Sequence, residues 1–94
     1  MEKIWLKSYP KGVPAEINLD EFTSLVDLFD KTCERFDEKT AFTNFGVKIS
    51  FKQLKSYSEN LSSYFLNELK LNKGDRVAIM MPNVLQYPIT TFGI

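Results

Sequence analysis

Few side chains in this 94-residue chain combine a type and a spacing suited to chemistry. Ser56, Ser58, Ser62 and Ser63 carry hydroxyls, but the sequence holds no histidine to act as their base. Cys33 is the single thiol. A reactive thiolate needs basic neighbours and exposure, whereas Cys33 falls on the apolar side of a helical pattern and reads as a buried structural thiol. Lys73, Asp75 and Arg76 form the one dense charge cluster near an element end, where a solvated loop with a surface ion pair is expected. The turn Met81-Pro82-Asn83 falls where a dinucleotide-binding fold places its phosphate loop. It lacks the glycines that let backbone amides approach a pyrophosphate, Gly74 precedes the apolar run, and no GxxxxGK[ST] occurs. A helix N-terminus near Val84 can attract an anion in principle, but a plain structural turn explains the same residues. With no His and one Cys, a metal site built on those residues is not expected. No catalytic, cofactor-binding or metal-ligating residue is assigned.

The elements around these residues follow from local pattern. Lys73-Gly74-Asp75 leads into the apolar run Val77-Ala78-Ile79-Met80-Met81, which Pro82 stops. A run without alternation suits a strand covered on both faces, so 76–81 is expected as a buried strand. Asn83 is a favoured N-cap, so a helix is expected from there, carrying Val84, Leu85, Ile89, Phe92 and Ile94 nearly all round its axis.

Upstream, residues 1–22 carry Pro10, Gly12 and Pro14, show no period, and read as an extended N-terminal arm with Trp5, Leu6, Tyr9 and Val13 as anchors. Such an arm is expected to lie across its own domain or to reach a neighbouring subunit or domain. A first helix is expected over about Ser24–Phe36, with Ser24 as N-cap, Asp27 as its partner, and Leu25, Val26, Phe29, Cys33 and Phe36 on one face. Short strands are expected at 40–44 and 47–50, joined through Asn44-Phe45-Gly46, where Gly46 supplies a positive φ.

Ser50-Phe51-Lys52-Gln53 fits a capping box, and Ile49 with Leu54 fits the hydrophobic staple, so a second helix starts here. Phe51, Leu54, Tyr57, Leu61, Tyr64, Phe65 and Leu69 share its apolar face, a core stripe more than a stacking platform for bases. The helix is expected to end at Leu71-Asn72-Lys73-Gly74, with Asn72 or Gly74 in the left-handed cap. Residues 23–94 thus form an α/β unit: two amphipathic helices, a short β-hairpin, and a buried strand followed by a helix.

Composition narrows the class. Twelve basic and twelve acidic residues cancel, so no global field favours nucleic acid or an anionic membrane. Eight Phe, four Tyr and one Trp argue for a packed interior. A chain of this size is expected to bury roughly 65% of its unfolded surface. The lone cysteine and the opening MEKIWLKSYP, which has no signal-peptide pattern, suggest a cytoplasmic protein.

Two stretches carry a family likeness. Lys73-Gly74-Asp75-Arg76-Val77, running on to Pro82-Asn83 and through Tyr87-Pro88 to Phe92-Gly93-Ile94, resembles the N-terminal region of the AMP-forming acyl-CoA synthetases. That adenylate-forming superfamily also holds the luciferases and the adenylation domains of peptide synthetases. Trp5-Leu6-Lys7-Ser8-Tyr9-Pro10 with Val13-Pro14-Ala15-Glu16-Ile17-Asn18 is similar to the start of the bacterial long-chain fatty-acid–CoA ligases. Ser24-Leu25-Val26-Asp27 and the segment from Phe42 to Leu54 also fit.

The resemblance implies that these residues open the large N-terminal AMP-binding domain of a much longer enzyme. Its reaction joins ATP and a fatty acid to acyl-adenylate, releasing pyrophosphate, and CoA then displaces AMP. The resemblance implies ATP, Mg and CoA for the parent, with long-chain fatty acid as substrate, and leaves room for peripheral association with the inner membrane. The family's signature motifs are a Ser/Thr/Gly-rich phosphate loop, Tyr-Gly-x-Thr-Glu, Thr-Gly-Asp and a lysine in a mobile C-terminal domain. None has a matching position in this chain. The 94 residues are therefore expected to be structural and inactive alone, and to form homo-oligomers through the exposed strand, the last helix or the arm. The alternative is a stand-alone small α/β interaction module without catalysis.

Overall fold

The computed structural model describes residues 1–94, ordered as a 3₁₀ turn (Ile4–Ser8), α1 (Leu25–Arg35), β1 (Thr40–Asn44), β2 (Val47–Ser50), α2 (Phe51–Asn67) and α3 (Gln86–Gly93). The strands form one two-stranded antiparallel sheet. The α/β composition therefore stands, and both hairpin strands have the expected bounds.

Helix α2 is the hub, packed against α1, α3 and both strands. Its start is fixed locally. The Ser50 hydroxyl accepts from the Gln53 amide at 3.1 Å, and the Gln53 side-chain oxygen accepts from the Ser50 amide at 3.0 Å. The next two orphan donors are satisfied by the loop after α1: Phe51 N–H donates to Lys39 O, and Lys52 N–H to Asp37 O. Ile49 and Leu54 are both buried, as a staple requires. Replacing Ser50 with Ala should cost about 1 kcal/mol, because one first-turn amide loses its acceptor while the other two keep theirs. Urea unfolding of the two proteins checks this; an unchanged midpoint would remove the cap from the account.

The buried stripe of α2 differs from the expected one. Leu54 and Ser58 are the buried positions, flanked by half-buried Phe51, Leu61 and Phe65. Tyr57, Tyr64 and Leu69 are about half exposed. Ser58 fits the interior because its hydroxyl donates to Ile89 O of α3 at 3.2 Å, which satisfies both groups. One turn further along α3, a Cβ on Gly93 would meet Ser58 O at 3.1 Å and Leu61 Cβ at 3.2 Å. A residue without a side chain lets the two helices approach this closely. Phe92 stacks on Phe29 of α1 with centroids 4.2 Å apart, joining the three helices.

Helix α1 begins at its expected cap: Ser24 Oγ accepts from Asp27 N–H at 3.0 Å. The Asp27 carboxylate accepts from Lys31 Nζ and from Thr23 N–H, and both bonds hold its pKa below the ordinary carboxylate value. Phe29, Cys33 and Phe36 turn inward, but Leu25 and Val26 do not, at 79% and 69% exposure. Leu25 and Val26, two of the five residues of the expected face, therefore have little packed against them.

Four further expectations are corrected. Residues 76–81 form no strand. A parallel strand exists only by pairing, and no other segment lies alongside to pair with it. Nor is the segment buried: Val77 and Ile79 are half-buried, while Ala78, Met80 and Met81 are exposed. Asn83 does not cap α3, whose N-cap position is Leu85 with no side-chain bond. A turn closed by Val84 N–H on Pro82 O and Tyr87 N–H on Val84 O delays the helix start. Third, the left-handed residue that ends α2 is Lys70 (φ 52°), which lets Leu71 N–H reach back to Phe65 O at 3.0 Å; Gly74 also takes a positive φ (95°), but in the turn between Asn72 and Asp75 rather than at the cap. Finally, Ile4–Ser8 coils into a 3₁₀ turn within an arm read as extended throughout, closed by Leu6 N–H on Lys3 O and Tyr9 N–H on Leu6 O.

The molecule is open. Its accessible surface is 8183 Å², against about 5,600 Å² for a closed monomer of 10.9 kDa. Its radius of gyration is 16.9 Å, against about 12 Å for a compact chain of this length. About half of the unfolded surface is buried, below the roughly 65% expected from size. No hydrogen bond or ion pair joins residues 1–22 to the rest.

Candidate functional site

The hairpin and α3 together make the most apolar concavity, a groove of about 390 Å³ with Phe42, Leu85, Tyr87, Pro88 and Phe92 on its walls. The β1 strand places Phe42 there, and a β-bulge between Thr40 and Phe42 shifts the register so that Phe42 pairs with Ile49. One hydrogen bond ties the two walls: Asn44 Nδ2 donates to Asn83 O at 3.1 Å. At the hairpin tip, Phe45 sits at φ 47° followed by Gly46 at φ 80°, with the Phe45 side chain 96% exposed. Positive φ is routine for Gly46 and costly for a bulky residue such as Phe45. The groove holds Thr and Asn side chains at its rim but no acid, base or thiol.

A second, polar cleft lies between α1 and α2, bordered by Glu34, Asp37, Lys52, Lys55 and Glu59, with Cys33 at its base. Lys55 Nζ stands 3.5 Å from Asp30 Oδ1. Partial burial works against the Lys55 ammonium, yet Asp30, Glu59 and Glu34 outweigh it and leave its pKa above the usual lysine value. Cys33 is buried, and burial pushes its thiol pKa up, opposed by Lys55. The thiol thus stays protonated at neutral pH, in keeping with a structural role.

The structure does not gather the other chemistry-bearing residues. Ser58 is committed to Ile89 O, and the Ser63 hydroxyl accepts from Asn67 Nδ2 at 2.9 Å. The expected ion pair among Lys73, Asp75 and Arg76 is not formed. Asp75 instead closes the turn on Asn72, accepting from its N–H at 2.7 Å and donating its own N–H to Asn72 O. That double bond within the turn occupies the carboxylate better than a solvated lysine would. No group of three or more His, Cys, Asp or Glu side chains is placed to hold a metal ion. No helix is long and apolar enough to cross a membrane.

What the geometry lacks in chemistry, comparison with other proteins supplies as ancestry. The family of AMP-binding enzymes matches residues 29–94. Over all 94 residues the chain is 49% identical to a long-chain-fatty-acid–CoA ligase of Salmonella typhimurium and 48% identical to one of Yersinia pestis. It is 37% identical over 93 residues to one of Bacillus subtilis. The chain spans 17% of the length of the first two relatives and 16% of the third. No solved structure matches it significantly. With most of its length inside the family match, and the hairpin, α2, α3 and the intervening turn all within it, the chain belongs to the AMP-binding enzymes.

Proposed function

We propose that these residues form the N-terminal part of a long-chain fatty-acid–CoA ligase, with 1–22 as an arm and 23–94 as an incomplete α/β portion of the AMP-binding domain. Identity spread over the whole chain carries this reading. The parent reaction is AMP-forming: ATP and a long-chain fatty acid give acyl-adenylate, and CoA displaces AMP, with Mg on the nucleotide. The contribution of this part is structural. Its groove and clefts present no nucleophile–base pair, so phosphate handling and acyl transfer belong to the remainder of such an enzyme. A cytoplasmic location, peripheral to the inner membrane, accords with this role.

A chimera tests the reading. The Salmonella typhimurium relative, with these 94 residues replacing its own matched stretch, should keep its ligase activity within about tenfold, a barrier change below roughly 1.4 kcal/mol. A folded chimera with a larger loss would overturn it and favour the stand-alone interaction module.

A further inference from the structure

The turn that joins β1 to β2 is Asn44-Phe45-Gly46-Val47, with positive φ at both central residues, 47° for Phe45 and 80° for Gly46. This is the backbone of a two-residue hairpin loop, whose first central position suits Asn, Asp or Gly. Phe45 carries the steric cost of that conformation without any compensating contact, because it is 96% exposed. A short polar residue would close the same turn more favourably and leave less apolar surface in water. A bulky apolar residue that strains its backbone and packs on nothing within its own molecule marks a surface that meets something outside it.

The surroundings say what that is. Phe45 stands at the convex end of the hairpin, with Val47 next to the turn at 59% exposure. A stable contact with another protein takes ~800 Å² from each partner, and a projecting ring with one apolar neighbour falls far short of that. A bilayer interface asks for no matching shape and accepts single aromatic rings. Charge agrees, although the chain as a whole is neutral. No acid lies between Glu38 and Glu59, so none stands on the hairpin. Lys48, paired across the strands with Thr43 one step back from the turn, is exposed and makes no ion pair. Asn44 Nδ2 donates to Asn83 O at 3.1 Å, which keeps the uncharged loop Met81–Leu85 beside the tip. The tip therefore offers an apolar point with a cation behind it, and nothing that an anionic surface would repel.

We propose that the Phe45 hairpin tip docks on an anionic lipid bilayer, with the Phe45 ring inserted at the boundary of headgroups and acyl chains and Lys48 against lipid phosphates. The proposal rests on the functional reading above for its use: a long-chain fatty acid dissolves in a bilayer, and such a tip holds the enzyme where that substrate is.

Sedimentation with vesicles of phosphatidylglycerol and phosphatidylcholine in equal parts tests the tip, on the 94-residue chain and on the chimera with the Salmonella typhimurium relative. Phe45→Asn is the decisive variant, because Asn suits the left-handed turn position. It should raise the urea midpoint and yet weaken vesicle binding by about tenfold or more, so a loss of binding cannot come from a loss of fold. Phe45→Trp should bind at least as well as the parent. Lys48→Glu should weaken binding by about tenfold, an effect that fades at high salt. Equal binding by Phe45→Asn, equal binding to vesicles of phosphatidylcholine alone, or no binding overturns the proposal. So does binding by the isolated chain that an active chimera lacks, which assigns Phe45 to a contact with the remainder of the enzyme and leaves the functional reading intact. An inactive, folded chimera removes the functional reading itself, and vesicle binding then still decides the tip.

Discussion

Leu54→Ala is expected to cost about 2–5 kcal/mol, the largest stability loss available from one truncation in this chain. Leu54 is 1% exposed, on the helix that touches α1, α3 and both strands. Its only fully apolar rivals in the interior are Ile49 and Cys33, so no other side chain is placed to fill the space it leaves. Domains of ordinary size have 5–15 kcal/mol in total, and one that buries only about half of its unfolded surface sits toward the bottom of that range. The substitution should therefore abolish cooperative unfolding or bring the urea midpoint close to zero. Far-ultraviolet circular dichroism during a urea titration reads this directly. A midpoint shift equivalent to less than about 1 kcal/mol would mean that the site collapses freely and that α2 is not the hub. The same experiment on Leu25→Ala is the control, since Leu25 is exposed and its truncation should fall within about 0.5 kcal/mol of the parent.

How far the sequence foretold this structure depended on how local each feature is. The Ser50–Gln53 box, the Ser24 cap and the hairpin bounds each need only a few neighbouring residues, and all appear as expected. The strand at 76–81 needed a partner segment, and its apolar composition carries no information about whether one is at hand. Ser58 shows the opposite error. This polar residue is absent from the expected apolar face of α2, because the acceptor that lets it be buried, Ile89 O, lies 31 positions away. Leu25 and Val26 were placed inward by periodicity alone, which gives a face but not what stands opposite it. Phe45 at φ 47° had no sequence signal, since glycine alone marks such positions reliably. The sequence offers no histidine to pair with any of its serines, so no catalytic residue is expected among them. The ancestry was legible in a different way, from the KGDRV turn and the opening arm, neither of which carries chemistry of its own.

In isolation the chain is expected to self-associate reversibly. Unpaired backbone at 76–81 meets its like most easily in another copy, and Met80 and Met81 at that edge, with Phe92 of α3 and Ile94 just past its end, stand at least partly in solvent. Magnitudes decide how strongly. About six main-chain bonds contribute roughly 1 kcal/mol each. Association itself costs about 4–15 kcal/mol in lost freedom, so the bonds alone leave little surplus and apolar burial must supply the rest. A dissociation constant in the micromolar range corresponds to a net of about −8 kcal/mol, which a strand pair plus a few hundred Å² of apolar contact can reach. Light scattering behind a sizing column should therefore show a mass that rises from monomer to dimer as concentration crosses the micromolar range. Met80→Lys places a charge on a side chain that touches almost nothing within its own fold, and should shift the curve toward monomer by tenfold or more in concentration. Removing residues 1–22 should leave the curve unchanged if the edge carries the contact, and should abolish association if the arm does. A monomer at all concentrations, with no dye-accessible apolar surface, would mean that the 94 residues close on themselves in solution, and the open shape with its 16.9 Å radius would fall with the prediction.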